Sequence, residues 1–196
     1  LPATLGGHSC IVIRDGATYA EQVTVQNYTN AGSSISIFAD PLSGLRPVVN
    51  PPGGSGAAFV IRNSSVNIAG IDIKPTASIT YGVFVASINV NISSVNVRDE
   101  GGNITAAGVA LSSRTLVEYS SVTAQGAIGY YLSDVSGSTV AYSSAAVNSS
   151  AGGGLYIFAS TGNVVRSGFF RNAGGDGGDV AGGSNRNTVS LSTFTT

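Results

Sequence analysis

The sequence lacks most of the side chains on which catalytic and metal sites depend. Its 196 residues include one histidine, one cysteine and one lysine, with no tryptophan and no methionine. The single Cys10 has no partner for a disulfide within the chain. Charged residues make up 10% of the sequence, against about 25% in a typical soluble domain. These absences leave few groups for catalysis.

Charge and hydropathy exclude two further classes of protein. The nine basic and ten acidic residues give a net charge of −1. Without a basic footprint, nucleic acid is excluded as a main partner. No apolar run approaches the ~20 residues of a membrane-spanning helix, so we expect no membrane span.

Small and hydroxylated residues are abundant instead. The chain contains 43 serine and threonine residues and 27 glycines. A hydrophobic content of 42% and a mean hydropathy of +0.26 distinguish it from a disordered polar chain. We therefore expect a single domain over residues 1–196. Because the sequence shows neither a start methionine nor a signal peptide, we interpret it as a piece excised from a longer chain.

A short motif recurs along the chain from residue 57 onward. It consists of a small anchor residue, a hydrophobic residue, any residue and a second hydrophobic residue. Successive anchors are 24, 26, 21, 25 and 24 positions apart. The anchors are Ala58, Gly82, Gly108, Gly129, Gly154 and Gly178.

A second motif follows each copy of the first. It reads hydrophobic, any, mostly hydrophobic, small, small, hydrophobic, and it fits less well where Arg166 takes a usually apolar place. Its second small residues are 24, 27, 23, 24 and 25 positions apart. They are Gly70, Ser94, Ser121, Ser144, Gly168 and Thr193. Two independent series of anchors that agree on a period near 24 residues indicate a true repeat.

The alternation of hydrophobic residues within both motifs has a period of two, which predicts strands rather than helices. Two or three short strands in each period describe one coil of a solenoid, with parallel strands ~4.8 Å apart between coils. We therefore predict an all-β fold, a single-stranded right-handed parallel β-helix of about seven to eight coils. We expect irregular opening coils over residues 1–56 and regular repeats over residues 57–196.

The opening segment from Ile11 to Val25 joins an apolar strand, the run Gly16-Ala17-Thr18-Tyr19-Ala20-Glu21 and a Val-rich strand. It resembles the first coil of pectin methylesterases, in the pectin-lyase-like superfamily of right-handed β-helices. The later coils resemble the general repeats of that superfamily and those of large repetitive bacterial surface proteins. The resemblance implies the β-helix fold and an extracellular or cell-surface location. The Gln-Asp and Arg-x-Trp signatures of the methylesterases are absent.

The acidic residues offer one arrangement that an enzyme could use. A paired-carboxylate hydrolase needs two carboxyl groups ~5–9.5 Å apart, and Asp72 and Asp99 are candidates across adjacent coils. We favour the interpretation that they are ordinary solvated loop charges and that the chain has no catalytic residues. A polysaccharide lyase or hydrolase remains the alternative. Cys10 lies in an apolar strand, which predicts a buried thiol rather than a nucleophile.

A glycine-rich run near the end of the sequence gives one weak indication of a metal site. Residues Gly174 to Ala181 match one copy of a calcium-binding repeat, in which Asp176 and Asp179 would be ligands. That repeat works in tandem copies, because successive turns share each ion. We therefore expect a flexible turn and no cofactor, with calcium as the alternative.

The middle residues of the first motif are predicted to form an outward column. This column is apolar and partly aromatic, which suits stacking against sugar rings or packing against protein. It comprises Val60, Phe84, Ala110, Tyr131, Tyr156 and Val180, of which Phe84, Tyr131 and Tyr156 are the candidate contact residues. We expect a non-catalytic structural or adhesive segment of a secreted or surface protein. Its partners would be polysaccharide, flanking repeats or copies of itself.

Overall fold

The computed structural model describes residues 3–150 and 152–196. Within these residues the chain forms 23 strands and no helix. Accordingly, no helix in the described part has the length and apolar character needed to cross a membrane. Strands follow one another in groups of three, and each strand of a group joins a different sheet. Seven such groups, which we call coils, are followed by two strands of an eighth.

All strand pairs in the three sheets are parallel, and neighbours within a sheet come from successive coils. The first sheet contains β1 (Ser9–Ile13), β4 (Ile35–Ala39), β7 (Val66–Ala69), β10 (Val90–Ser93), β13 (Thr115–Glu118), β16 (Thr139–Ala141), β19 (Val164–Arg166) and β22 (Thr188–Ser190). The second contains β2 (Thr18–Tyr19), β5 (Val48–Val49), β8 (Asp72–Ile73), β11 (Asn96–Asp99), β14 (Ser121–Gln125), β17 (Ser144–Asn148), β20 (Phe169–Asn172) and β23 (Thr193–Thr195). The third contains β3 (Val23–Val25), β6 (Ala57–Ile61), β9 (Ile79–Val85), β12 (Ile104–Leu111), β15 (Ile128–Ser133), β18 (Leu155–Phe158) and β21 (Gly178–Ala181). The predicted parallel β-solenoid is thereby confirmed.

The interior is a ladder of aliphatic side chains that repeats from coil to coil. In the first sheet, Ile68 pairs with Ile92 and Ile92 pairs with Val117, and all three side chains are buried. Because side chains alternate between the two faces of a strand, every second residue joins this core. The buried residues form one continuous cluster from Leu5 to Phe170.

The small anchors of the first motif have a steric cause. They lie where the third sheet approaches the inward side chains of the second sheet. A Cβ atom at Gly82 would lie 2.8 Å from Val97 Cγ1, and one at Gly129 would lie 2.6 Å from Ala145 Cβ. Any larger residue at these positions would force the two sheets apart.

Serine and asparagine side chains continue the hydrogen bonding between coils where the strands stop. The Val95 amide donates to Ser120 Oγ at 3.2 Å, and the Ser120 amide donates to Ser143 Oγ at 3.2 Å. At another turn, the Ser138 amide donates to Asn163 Oδ1 at 2.9 Å. These polar ladders satisfy buried backbone groups outside the sheets, which accounts for part of the high serine content.

The first coils have longer connections than the later ones. Val23 in the first coil pairs with Phe59, 36 positions further on, whereas Phe59 pairs with Val83, 24 positions further on. Part of the additional length forms the loop of residues 40–47 between β4 and β5. This loop lies against the outer surface of the solenoid, where it borders a depression described below.

Both ends of the solenoid expose side chains of the core ladder. Ile11 pairs with the buried Ile37 yet is 44% exposed, and Val180 pairs with the buried Ile157 yet is 52% exposed. No coil among the described residues covers these two side chains. The first coil therefore opens into a depression of about 470 Å³.

The expectation that Cys10 is buried is wrong. Cys10 is exposed, and it pairs with Ser36 on the outer side of the first sheet. The residues on either side of Cys10 in β1 face the interior, because their register partners Ile35 and Ile37 are buried. An apolar strand in the first coil therefore does not bury every residue it contains.

Candidate functional site

The outward column of the third sheet follows the predicted register except at its end. Val60 pairs with Phe84, Phe84 with Ala110, Ala110 with Tyr131, and Tyr131 with Tyr156. Tyr156, however, pairs with Asp179 and not with Val180, which lies in the inward column. The predicted position of Val180 is therefore wrong by one residue. The cause is the adjacent pair Gly177-Gly178, because either glycine satisfies the sequence pattern of the anchor.

Burial divides this column into two separate aromatic groups. Val60 and Ala110 are buried, so they contribute no exposed apolar surface. Phe84 is half-buried and stacks on Tyr81, with ring centroids 5.0 Å apart and an angle of 20° between planes. The second group lies two coils away and contains the other two predicted contact residues.

This second group, which we call the tyrosine face, consists of Tyr131, Tyr156 and Phe158. The Tyr131 and Tyr156 rings stack at 5.8 Å with an angle of 12° between planes. The Tyr156 and Phe158 rings lie 6.2 Å apart at 17°. The first two residues are register partners in adjacent coils, and Phe158 is the next outward residue of the same strand. Strand register thus holds three aromatic rings nearly parallel on one outer surface.

A polar depression of about 310 Å³ adjoins Tyr156. The amide group of Asn172 organises its wall, because Oδ1 accepts from the Ser149 amide at 2.9 Å and from the Gly174 amide at 3.1 Å. The same side chain donates through Nδ2 to the Gly152 carbonyl oxygen at 2.8 Å. The wall of the depression is therefore held by hydrogen bonds within the fold.

Asp176 and Asp179 line this depression together with Tyr156, and both are exposed. Sequence reasoning treated these carboxylates and the aromatic column as separate features, and the fold brings them together. Ionised carboxylates only accept hydrogen bonds, so the pair offers acceptors to hydroxyl groups or to a cation. The described residues contain no group of three or more His, Cys, Asp or Glu that could hold a metal ion. The expectation of no cofactor, with calcium at these two residues as the alternative, stays a prediction.

Asp72 has three polar partners on the outer side of the second sheet. Arg46 Nε lies 2.6 Å from Oδ1, Arg98 Nη2 lies 3.0 Å from Oδ2, and Asn96 Nδ2 donates to Oδ1 at 2.9 Å. The side chain is 8% exposed. Both carboxylate oxygens are therefore engaged by side chains of the same protein.

Asp99 points the other way, into the turn between the second and third sheets. It is fully buried, and its two oxygens accept from the Asn103 amide at 2.7 Å and the Ile104 amide at 2.8 Å. Asp72 pairs with Asn96 of β11, whose side chain points outward. Asp99 lies three residues further along β11, so its side chain points to the inner face. The two carboxylates thus lie on opposite faces of the sheet, and the fold does not bring them together.

Sequence reasoning missed an aromatic pair at the corner between the first and second sheets. The second motif aligned Val117 with Val66, but the sheets pair Val117 with Ile92, and Ile92 with Ile68. This slip of two residues leaves every side chain on its own face of the strand, so the alternation of hydrophobic residues could not reveal it. The anchor spacing of 27 positions among values of 23 to 25 was the available signal. The correct register places Tyr119 and Tyr142 at the corner.

These three stacked parallel sheets define the chain as a β-solenoid protein. No protein family, curated protein or solved structure matches it in the three comparisons made. The structure thus bears out the expected parallel β-helical fold, while no comparison supports a similarity to pectin methylesterases or to the pectin-lyase-like superfamily in particular.

Proposed function

We propose that this chain is a non-catalytic, adhesive β-solenoid segment of a secreted or cell-surface protein, and that its tyrosine face binds neutral polysaccharide. The observation that carries the proposal is the tyrosine face itself, with three nearly parallel rings beside a polar depression. Aromatic rings supply apolar contact area with defined geometry. A binding site also needs a few fixed polar groups, which the depression supplies.

The chemistry of this surface favours a neutral glycan. A pyranose ring presents an apolar C–H face, suited to an aromatic ring, and a rim of hydroxyl groups. Asp176 and Asp179 would accept hydrogen bonds from those hydroxyls, and such charge-assisted hydrogen bonds are the stronger kind. No lysine or arginine lines the described part of the depression. Two uncompensated carboxylates would repel an acidic polysaccharide such as polygalacturonate.

The alternative is a polysaccharide lyase or hydrolase, and the proposed carboxylate pair does not support it. Asp72 is held by two arginines and Asp99 by two backbone amides. Each carboxylate therefore has a structural role that accounts for its position.

The test is affinity electrophoresis through gels cast with neutral glucans, mannans and galactans and with polygalacturonate. We expect retardation in at least one neutral gel and none in polygalacturonate, with the polysaccharide intact after staining. The double variant Tyr131→Ser/Tyr156→Ser should be retarded less than the parent, because it lacks two of the three rings of the tyrosine face. Phe169→Ser is the matched control, since Phe169 is an exposed aromatic residue on the second sheet.

Three results would overturn the proposal. Equal retardation of the parent and the double variant would exclude the tyrosine face. A cleared zone in the gel would establish catalysis. Unretarded migration in every gel, with concentration-dependent association in sedimentation velocity, would favour packing between copies through the exposed ends of the solenoid.

A further inference from the structure

One corner of the solenoid uses a left-handed backbone conformation in successive coils. Glycine adopts this conformation freely, whereas a bulky residue rarely does. The corner residues and their φ angles are Gly70 (73°), Ser94 (52°), Tyr119 (52°), Tyr142 (49°), Ser167 (51°) and Leu191 (48°). Because neighbouring coils make the same turn with glycine or serine, the fold does not require tyrosine at this position.

Burial does not compensate for the two strained tyrosines. Tyr119 is 60% exposed and Tyr142 is 46% exposed. Backbone strain that the fold does not require is typical of functional sites. Their rings stack on each other, with centroids 5.2 Å apart and 6° between planes.

The stack is covered at one end and open at the other. The Arg166 guanidinium, from the following coil, lies 5.5 Å from the centroid of the Tyr142 ring. Tyr142 thus has Tyr119 on one side and Arg166 on the other. In the preceding coil, Ser94 occupies the corner beside Tyr119. Serine is too short to cover an aromatic ring, so the outer face of the Tyr119 ring is open.

Ser94, which neighbours Tyr119 in the preceding coil, lines a depression of about 500 Å³. Ser94 and Gly70, the corner residues of the two preceding coils, line it, and the loop of residues 40–47 borders its far side. Coils are spaced by ~4.8 Å, which is close to the distance between the two stacked tyrosine rings. A further six-membered ring stacked on Tyr119 would therefore sit above Ser94, at the mouth of this depression.

We propose that this corner is a second carbohydrate site, in which a pyranose ring of a neutral glycan stacks on Tyr119 above Ser94. It lies on a different surface from the tyrosine face and does not depend on it. The Tyr119 hydroxyl makes no hydrogen bond with other described residues, so it is available to a ligand. Two such sites on one rigid rod would let a single molecule bridge two polysaccharide chains.

The charges around the depression suit an uncharged ring. Arg46 is paired with Asp72 at 2.6 Å, and Asp40 lies 3.6 Å from Arg14. Near the tyrosines, Arg166 lies 4.0 Å from Glu118. Each of these three carboxylates has a basic partner, and Asp72 has a second one in Arg98 at 3.0 Å. No carboxylate here is unpaired, and each of the four arginines is held in an ion pair.

The experiment uses the protein that carries Tyr131→Ser/Tyr156→Ser, so that the tyrosine face does not contribute. Binding of cellohexaose and mannohexaose is measured by isothermal titration calorimetry. We expect binding of at least one hexasaccharide, weakened by up to about tenfold by Tyr119→Ser, because a lost aromatic stacking contact is worth up to about a factor of ten.

Two serine variants give a matched comparison. Leu191 shows that the corner accepts leucine, so Ser94→Leu should fold while filling the space beside Tyr119. We expect it to abolish binding. Ser167→Leu introduces the same side chain at the same type of position, one coil beyond Tyr142, and should bind as the parent does. Absence of binding to both hexasaccharides, or unchanged binding by Ser94→Leu, would overturn the proposal.

Discussion

The hydroxyl group of Tyr130 donates a hydrogen bond to the carbonyl oxygen of Ser120, 2.9 Å away. Tyr130 belongs to the third sheet, and Ser120 lies at the corner between the first and second sheets. The bond therefore spans the interior of the solenoid and connects all three walls. The Tyr130 ring also meets Phe170 edge-on, with centroids 6.0 Å apart.

This contact predicts a loss of stability at alkaline pH. Burial raises the pKa of Tyr130 well above its usual value, so the folded state needs a protonated phenol. The contribution of the Tyr130 phenol to the free energy of unfolding is complete below the unfolded-state pKa of about 10. Above that pH this contribution falls by about 1.4 kcal/mol per pH unit. Tyr130→Phe should lose about 1 kcal/mol at neutral pH through the missing hydrogen bond, and should decline less steeply above pH 10.

Urea unfolding of the parent and of Tyr130→Phe between pH 8 and pH 11.5 measures this difference. Burial also raises the pKa of Tyr28, but that residue is present in both proteins and cancels in the comparison. Tyr142→Phe is the control, because Tyr142 is exposed. Parallel stability curves for the parent and Tyr130→Phe across this range would contradict the prediction.

The narrow interior predicts that Gly129→Ala destabilises the fold. The added methyl group would lie 2.6 Å from Ala145 Cβ and would also meet the Gly154 backbone. Overpacking of this kind costs about 1–3 kcal/mol, which thermal or urea unfolding would detect. Gly56→Ala is the matched control, because a Cβ atom there meets nothing within 4 Å. A Gly129→Ala protein as stable as the parent would show that the two sheets can separate.

The period and strand content of the solenoid were predictable because they depend on inward residues. Ile68, Ile92 and Val117 alternate with outward residues in every coil, and this alternation survives sequence variation. The register was harder to predict. A slip of two residues keeps every side chain on its own face, so only turn geometry can correct it. Tyr119 and Tyr142 occupy left-handed turn positions, where glycine is the usual residue, so the sequence did not mark these turns.

The candidate site was only partly predictable for a related reason. Tyr131 and Tyr156 were predictable because outward residues alternate with core residues along each strand, and both tyrosines take outward positions. Asp176 and Asp179 were noticed for a metal-binding pattern, and their position beside Tyr156 follows from the coil spacing. The pairing of Asp72 with Arg46 depends on a loop, for which the repeat makes no prediction.

The Asp72 cluster predicts a structural effect without a catalytic one. Asp72→Ala removes the partner of Arg46 Nε, while Arg46 Nη2 keeps its 2.6 Å hydrogen bond to the Ser94 carbonyl oxygen. The Arg46 side chain is 35% exposed, so solvent moderates the loss to about 1–2 kcal/mol. Urea unfolding should detect this change, and retardation in neutral polysaccharide gels should match the parent. A reducing-end assay should find no cleavage by either protein. Reducing ends released by the parent and not by Asp72→Ala would instead make Asp72 a catalytic residue.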